Sequence, residues 1–464
     1  MGFRVTHRLR YCLSLFATVC IGGVLCAQVQ EAAEYQRRVD KVTGVPGLAG
    51  FWDFVARDEQ GRFMARVASK SATGSTFAYP LEAWNYVKPY WHEGRDATYE
   101  DFPLWGRGPF GQGVVFRNEA DRSFRPTLVL PREQFHGGPI DVGGPGQSVS
   151  MVVWLIYQEG NHAIAGIWHE GTDLRVRDDS AARVELGRRQ YALFAGLAAN
   201  RGANAIHVSE NGRASFGDKY ARNLAVTGRL MPQVKPDADA ATADAHWTAV
   251  GFVFDNEKNQ VFAYMDGVAD DYWIDQPEKH PFFQWPARGW RQAYLHQLPG
   301  IQEGEDPDYP ADQFYTPPEE KARSRKLLSK TKEERVWELS YEFTKVCLIE
   351  RRDAAGAWTP ANRELVSLRV NPFWFPHDLF QPQSTEEGGP FTIGRVIHSG
   401  RGVGISAVIG GVAVYNRPLH AAEMRKLAAI GFEGKGERRR PSLLHVQPRT
   451  GARTEKGAAA KAAP

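Results

Sequence analysis

An all-β, antiparallel two-sheet sandwich of jelly-roll type is the fold this chain predicts, with a long irregular insertion and one short charged helix. Three observations point there. Short apolar segments recur with the period-two alternation of strands, and Gly, Pro, Asn and Asp punctuate them as turns. Only one stretch carries the charge pattern of a solvated helix.

The chain begins with Arg4, Arg8 and Arg10, followed by the apolar run YCLSLFATVCIGGVLCA ending at Ala27. A basic start, a short apolar stretch and small residues at its end are the layout of a secretory leader. The run is short for a comfortable bilayer span, so no stable membrane span is expected after cleavage. Leu25 stands before Cys26, where a lipoprotein needs a small residue. The expected address is secreted, periplasmic or cell-envelope. Cys12, Cys20 and Cys26 all lie in the leader, so the mature chain keeps Cys347 alone and has no internal disulfide.

Residues 28–46 form a polar lead-in, and GLAGFWDF (Gly47–Phe54) is the first strand. FGQGVVFR is the best strand before the Gly/Pro-rich GGPGQ. After it, Met151, Val153, Leu155 and Tyr157 share one face of a strand. AIAGIW and RQYALFAGLAA follow, and TAVGFVF, DNEKN and QVFAYMDG form a hairpin. Residues 272–389 read as the insertion. Within it, PEEKARSRKLLSKTKEERV (Pro318–Val336) is the charged helix, and TKVCLIERR and RELVSLRV pair around DAAGAWTPAN. FTIGR, two short strands in GISAVIGGVAVY and a helical turn in HAAEMRKL close the sandwich, which spans 47–433. The basic, Gly/Ala/Pro-biased tail 434–464 lacks core residues and is expected to be disordered.

Three ordered segments resemble the laminin G-like and concanavalin A-like lectin/glucanase superfamily. They are SVSMVVWLIY, the hairpin with Trp247, Val250, Val261, Tyr264, Asp266 and Gly267, and the closing segment with Tyr415, Asn416, Arg417, Leu419 and Glu423. The resemblance implies a concanavalin A-like jelly roll and a glycan or cell-surface polysaccharide as ligand. It also implies Ca2+, an implication weakened because AVIGGVAVY lacks the family's closing-strand Asp. Trp52, Trp154 and Trp247 fall in strand patterns and read as core.

The tetrapeptide WHEG occurs twice, in YWHEGRD and IWHEGTD. Trp91, His92, Glu93 and Asp96 in one loop, and Trp168, His169, Glu170 and Asp173 in the other, are the candidate ligand-binding residues. Trp offers a stacking surface for a sugar ring, and His with carboxylates offers metal ligands if both loops converge. The metal itself is unknown. The bland alternative is a pair of turns with ordinary salt bridges. Trp105, Trp273, Trp285, Trp290 and Trp374 also fall in loops or the insertion, where stacking surfaces would sit.

No catalytic residues are assigned. The E-x-D-x-x-E strand of laminarinase-like relatives is missing, as are G-x-S-x-G, P-loop and Rossmann patterns. Tyr191, His207 and Arg363 match a lyase set in a few letters only. A net charge of +3 over 464 residues gives no reason to expect nucleic acid as a partner. The sequence therefore reads as an exported, non-catalytic carbohydrate-binding or surface-recognition protein. A polysaccharide-degrading enzyme and a structural envelope protein making protein contacts are the alternatives. Expression with the leader in a secreting bacterium is expected to yield a chain beginning at Gln28; an intact mass that retains Met1 would end the export reading.

Overall fold

Strands make up most of the regular structure, as the alternating segments predict. The computed structural model describes residues 30–71, 74–172, 181–197, 201–213, 224–235, 245–295 and 315–431. The leader, Asp173 and the basic tail lie outside these residues. Among the described residues no helix is long and apolar enough to cross a membrane.

Two antiparallel sheets face each other across one core. The eight-stranded sheet runs in the order Phe373–Trp374, Gln260–Met265, Thr248–Asp255, Val149–Asn161, Gly404–Tyr415, Gly111–Phe116 and Leu104–Gly108, with Leu48–Trp52 also paired to Gly404–Tyr415. The seven-stranded sheet runs Leu224–Arg229, Ala203–Val208, Arg188–Ala195, Ala163–His169, Phe391–Ile393, Pro126–Leu130 and Glu82–Asn85. Met151, Val153, Leu155 and Tyr157 do share a face, and it points into the core between the sheets. Their neighbours Val152, Trp154 and Ile156 are buried too, in a second core built with Val39 and Val42 of the helix over 30–43 and Met424 and Leu427 of the helix Ala421–Ala428. Covering both faces of a central strand makes it apolar at every position, which weakens polar alternation in the sequence. Trp154 ties the outer layer down by donating from Nε1 to the Leu427 carbonyl at 3.1 Å.

The hairpin predicted at Thr248–Met265 forms with Asp255 paired to Gln260. Asp266 and Gly267 follow it at φ of 50° and 76°, the left-handed region that Gly adopts freely and Asp tolerates. GISAVIGGVAVY is one strand rather than two. Its Gly-Gly is a bulge in a continuous ladder, where a side chain at Gly410 would meet Trp247 at 2.7 Å and one at Gly411 would meet Phe110 at 2.6 Å. The pair answers to close packing and ends no strand.

Among its described residues the insertion is not irregular, and its charged segment is not a helix. A five-stranded antiparallel sheet runs Tyr272–Asp275, Trp358–Asn371, Thr344–Arg352, Glu334–Ser340 and Ser324–Lys330, beside the helix Gln284–Leu295. The segment read as helical forms the two outer strands, turned at Thr331, whose hydroxyl accepts the Glu334 N–H at 2.9 Å. The edge strand is exposed at every position, so no buried stripe was there to reveal its period. Lys and Arg along a strand edge resist edge-to-edge pairing, and the same charges imitate a solvated helix. TKVCLIERR and RELVSLRV do pair, within Thr344–Arg352 and Trp358–Asn371.

Adding a methyl at the bulge is expected to overpack it. Gly410→Ala should lose about 1–3 kcal/mol of stability, read as a lower urea midpoint at unchanged slope; an unshifted midpoint would show that the strand has room to spare.

Candidate functional site

The two WHEG copies fold differently. In the first, Trp91 ends the short helix Val87–Trp91, and His92 caps it in the left-handed region at φ 57°, donating its N–H to the Lys88 carbonyl at 2.9 Å. His92 is exposed, Asp96 pairs with Lys88, and Glu93 receives the Arg401 guanidinium at 2.7 Å. In the second, Trp168 and His169 end the strand Ala163–His169 and are fully buried, with Glu170 at 3 % exposure.

Glu170 is the centre of a buried cluster. The chain crosses from one sheet to the other at His162, at φ 87°, between Val149–Asn161 and Ala163–His169. The segment after Phe391–Ile393 runs beside the strand end, with the Glu170 N–H bonded to the Ile397 carbonyl at 3.1 Å. These two constraints bring His162 Nε2 to 3.5 Å and His398 Nε2 to 3.3 Å from Glu170 Oε2. Trp168 Nε1 donates to Oε1 at 3.0 Å, and Arg189 donates to the Glu170 carbonyl at 2.8 Å.

One ligand atom from each of His162, Glu170 and His398 lies within 4.8 Å of the others, close enough to hold a metal ion. The tautomers argue otherwise. His398 Nδ1 accepts the Gly400 N–H at 2.8 Å, so the hydrogen-bond network assigns the proton of its neutral ring to Nε2. A metal at Nε2 needs that lone pair free, with the other nitrogen donating. Glu170 is therefore a carboxylate faced by the His398 N–H, with the His162 ring beside it and the Nδ1 of that ring without a hydrogen-bond partner. Burial drives the His162 pKa down to about 4 and lowers that of His398. Burial by itself raises a carboxyl pKa; for Glu170 the two rings, Arg189 and the Trp168 N–H outweigh it and hold the group below its ordinary value.

His169 repeats the device. Its Nδ1 accepts the Gly171 N–H at 2.8 Å, which turns Nε2 toward Glu185 at 3.3 Å and the Tyr90 hydroxyl at 3.1 Å. Tyr90 donates to Glu185 at 2.9 Å. Tyr90 immediately precedes the first WHEG, so the two copies do meet, through that tyrosine. Arg401 completes the link, lying 5.1 Å from the Trp91 ring centre while His398 faces Glu170.

Several candidates are corrected by burial. Trp168 at 0 % and Trp91 at 7 % exposure present no ring face to a sugar, and Trp105 and Trp290 are likewise buried. Trp273, Trp285 and Trp374 are half-buried. His92, Glu93 and Asp96 do not converge with His169 and Glu170; Glu170 turns instead to His162 and His398, which sequence reasoning missed. His169-Glu170-Gly171 and His398-Ser399-Gly400 share the pattern His-x-Gly, but exposed His92-Glu93-Gly94 has it too, so the pattern does not single out the cluster. The lyase set is dispersed. Tyr191 is buried against Phe252, its register partner is Val208 rather than His207, and Arg363 pairs with Glu319 in the five-stranded sheet.

An open cleft of about 260 Å³ lies where the inserted sheet meets the sandwich. Phe262 and Tyr264 of the hairpin, Asp271 just before the insertion, Arg369 within it, and Arg425 of the last helix line it. Asp271 accepts from Arg369 Nε at 2.6 Å. Aromatic carbon with guanidinium and carboxylate groups is the mixture that polar, ring-shaped ligands require.

No protein family model matches the chain, and no curated protein matches it. Among solved structures, the binding domain of botulinum neurotoxin serotype D/C aligns at TM-score 0.34 and 8% identity, over 82% of this chain and 51% of that one. Trypanosoma rangeli sialidase in complex with 2,3-difluorosialic acid aligns at 0.32 and 10%, over 89% and 39%. Domain 4 of an extracellular arabinanase from Geobacillus stearothermophilus, in complex with arabinotriose, aligns at 0.28 and 11%, over 82% and 98%. The chain thus spans about half or less of the length of the first two. Scores this low carry no argument about ligand or fold family.

The buried rings predict an acid-labile fold. Between pH 6.5 and about 4 the unfolded chain holds a proton at residue 162 that the folded chain excludes. Stability is therefore complete above pH 6.5 and falls as the pH drops toward 4, by up to about 3 kcal/mol from this ring. Urea midpoints measured from about pH 7.5 to about pH 4.5 should fall accordingly. His162→Asn, which tolerates the positive φ, should flatten the profile; an unchanged profile would remove His162 from the account.

Proposed function

We propose that the chain is an exported, non-catalytic recognition protein on a concanavalin A-like jelly roll, and that its ligand is a glycan. The observation that carries this reading is the cleft at the junction of sandwich and insertion. Half-buried Phe262 supplies apolar surface for a sugar ring, and Arg369, Arg425 and Asp271 supply groups for its hydroxyls. The leader and the order of the Trp247 hairpin and Tyr415 segments support the address and the fold family.

The absence of catalysis rests on the chemistry of the lining. Among the described residues Asp271 is the one carboxylate lining the cleft, whereas two-carboxylate glycoside hydrolysis needs a pair roughly 5 to 9 Å apart. His169, Glu170 and Glu185 have suitable side chains, but they are committed to the sealed network beside Tyr90 and Trp168.

A glycan array run beside reducing-sugar release from the same polysaccharides tests the reading. Binding without release is the expected outcome. Arg425→Ser, at an exposed position, is expected to weaken binding about tenfold while leaving the unfolding midpoint in place. Release of sugar would establish the enzymatic alternative, and binding indifferent to Arg425 would move the ligand out of the cleft.

A further inference from the structure

The five-stranded sheet carries a second surface, built from residues that take no part in the Glu170 cluster. Register places Leu327, Trp337 and Leu348 side by side, then Lys330, Arg335 and Glu350, then Arg352 opposite Trp358. Directly paired residues share a face, so these side chains form one continuous patch. Its inner end continues into the core through Val346 and Leu368. Its outer end is accessible: Lys330 and Arg352 are exposed, and Arg325 shows 47% of its side chain.

Within the patch, guanidinium and indole groups alternate. The Arg325 guanidinium carbon lies 4.0 Å from the Trp337 ring centre and that of Arg335 lies 5.5 Å from the same ring. Arg335 and Arg352 lie 4.7 and 4.9 Å from the centre of Trp358. Glu350 anchors the row, accepting from Trp337 Nε1 at 2.7 Å, from Arg325 at 3.3 Å and from Arg335. At the outer end four cations, Arg325, Lys330, Arg335 and Arg352, thus stand around Glu350, while Arg363, opposite Leu348, is paired with Glu319.

We propose that this face binds carboxylated or sulfated polysaccharide. A guanidinium held near indole rings retains N–H edges, the groups that take a carboxylate or sulfate in a two-pronged contact. Several such groups in one row suit a polymer with repeating charge better than a single ion. Leu327 and the indole edges lie between them for the C–H faces of sugar rings. Single-stranded nucleic acid binds by stacking bases on open aromatic faces, and here guanidinium groups already approach those rings. The proposal shares with the preceding reading only the class of ligand, and it uses a different part of the surface.

The mature chain is to be titrated by calorimetry with polygalacturonate, dextran sulfate, neutral dextran and duplex DNA. The two acidic polysaccharides are expected to bind and neutral dextran is not, with affinity falling steeply as salt rises. The variant Arg325→Ser/Lys330→Ser/Arg352→Ser is expected to lose about tenfold or more in affinity and to show a shallower salt dependence. Arg351→Ser removes a cation from the opposite face of the sheet and is expected to change nothing. Unfolding midpoints of both variants establish that they fold. Equal binding by the triple variant, an equal loss in Arg351→Ser, or DNA held as tightly as polygalacturonate would overturn the proposal. Array binding that is lost in Arg425→Ser but kept in the triple variant would leave the cleft reading standing and this one refuted.

Discussion

The antiparallel pairing of Val149–Asn161 with Gly404–Tyr415 is the constraint on which the rest of the molecule depends. Eleven register pairs join segments some 250 residues apart in the chain. One face of this pair closes the core against the seven-stranded sheet, and the other seats the helices over 30–43 and at Ala421–Ala428. The hairpin at Thr248–Met265 and the strand Gly111–Phe116 flank the pair on either side. Because the loop between the two strands is so long, forming the pair has a large entropic cost. Apolar burial on both faces must outweigh that cost, which accounts for a ladder buried at nearly every position.

The same crossing creates the buried cluster. His162 sits where the chain leaves one sheet for the other, and its ring faces the end of the next strand. A carboxylate this deep needs compensation, and Glu170 receives it from the Trp168 and His398 N–H groups, with the His162 ring beside them. His398 and His169 are each oriented by the N–H of a glycine two residues on. At His398 an arrangement that holds ligand types close enough for a metal is thereby turned into a hydrogen-bonded polar contact. Distance alone does not separate the two cases; the second nitrogen of His398 does.

Much of the fold was legible in the sequence. The strands at Val149–Asn161, Ala163–His169, Arg188–Ala195 and Thr248–Met265 announced themselves as short apolar runs bounded by turns. What misled was charge. The strand Ser324–Lys330 has no buried position, so Lys and Arg at helical spacing imitated a solvated helix across Pro318–Val336. Gly410 and Gly411 misled in the opposite sense, because a glycine that admits a neighbouring ring looks the same in sequence as one that makes a turn.

For the candidate site, the residue types were visible and their roles were not. The sequence by itself determined the two-layer β architecture, the central strands and the rarity of helix, since period-two patterning acts over a few neighbouring residues. Tertiary structure alone decided that Glu170 would face His162 and His398, that Trp168 would be sealed, and that Arg and Trp side chains would alternate across a sheet face. Each of those outcomes joins positions brought together by strand pairing or chain crossing, and such distances leave no local trace in a sequence.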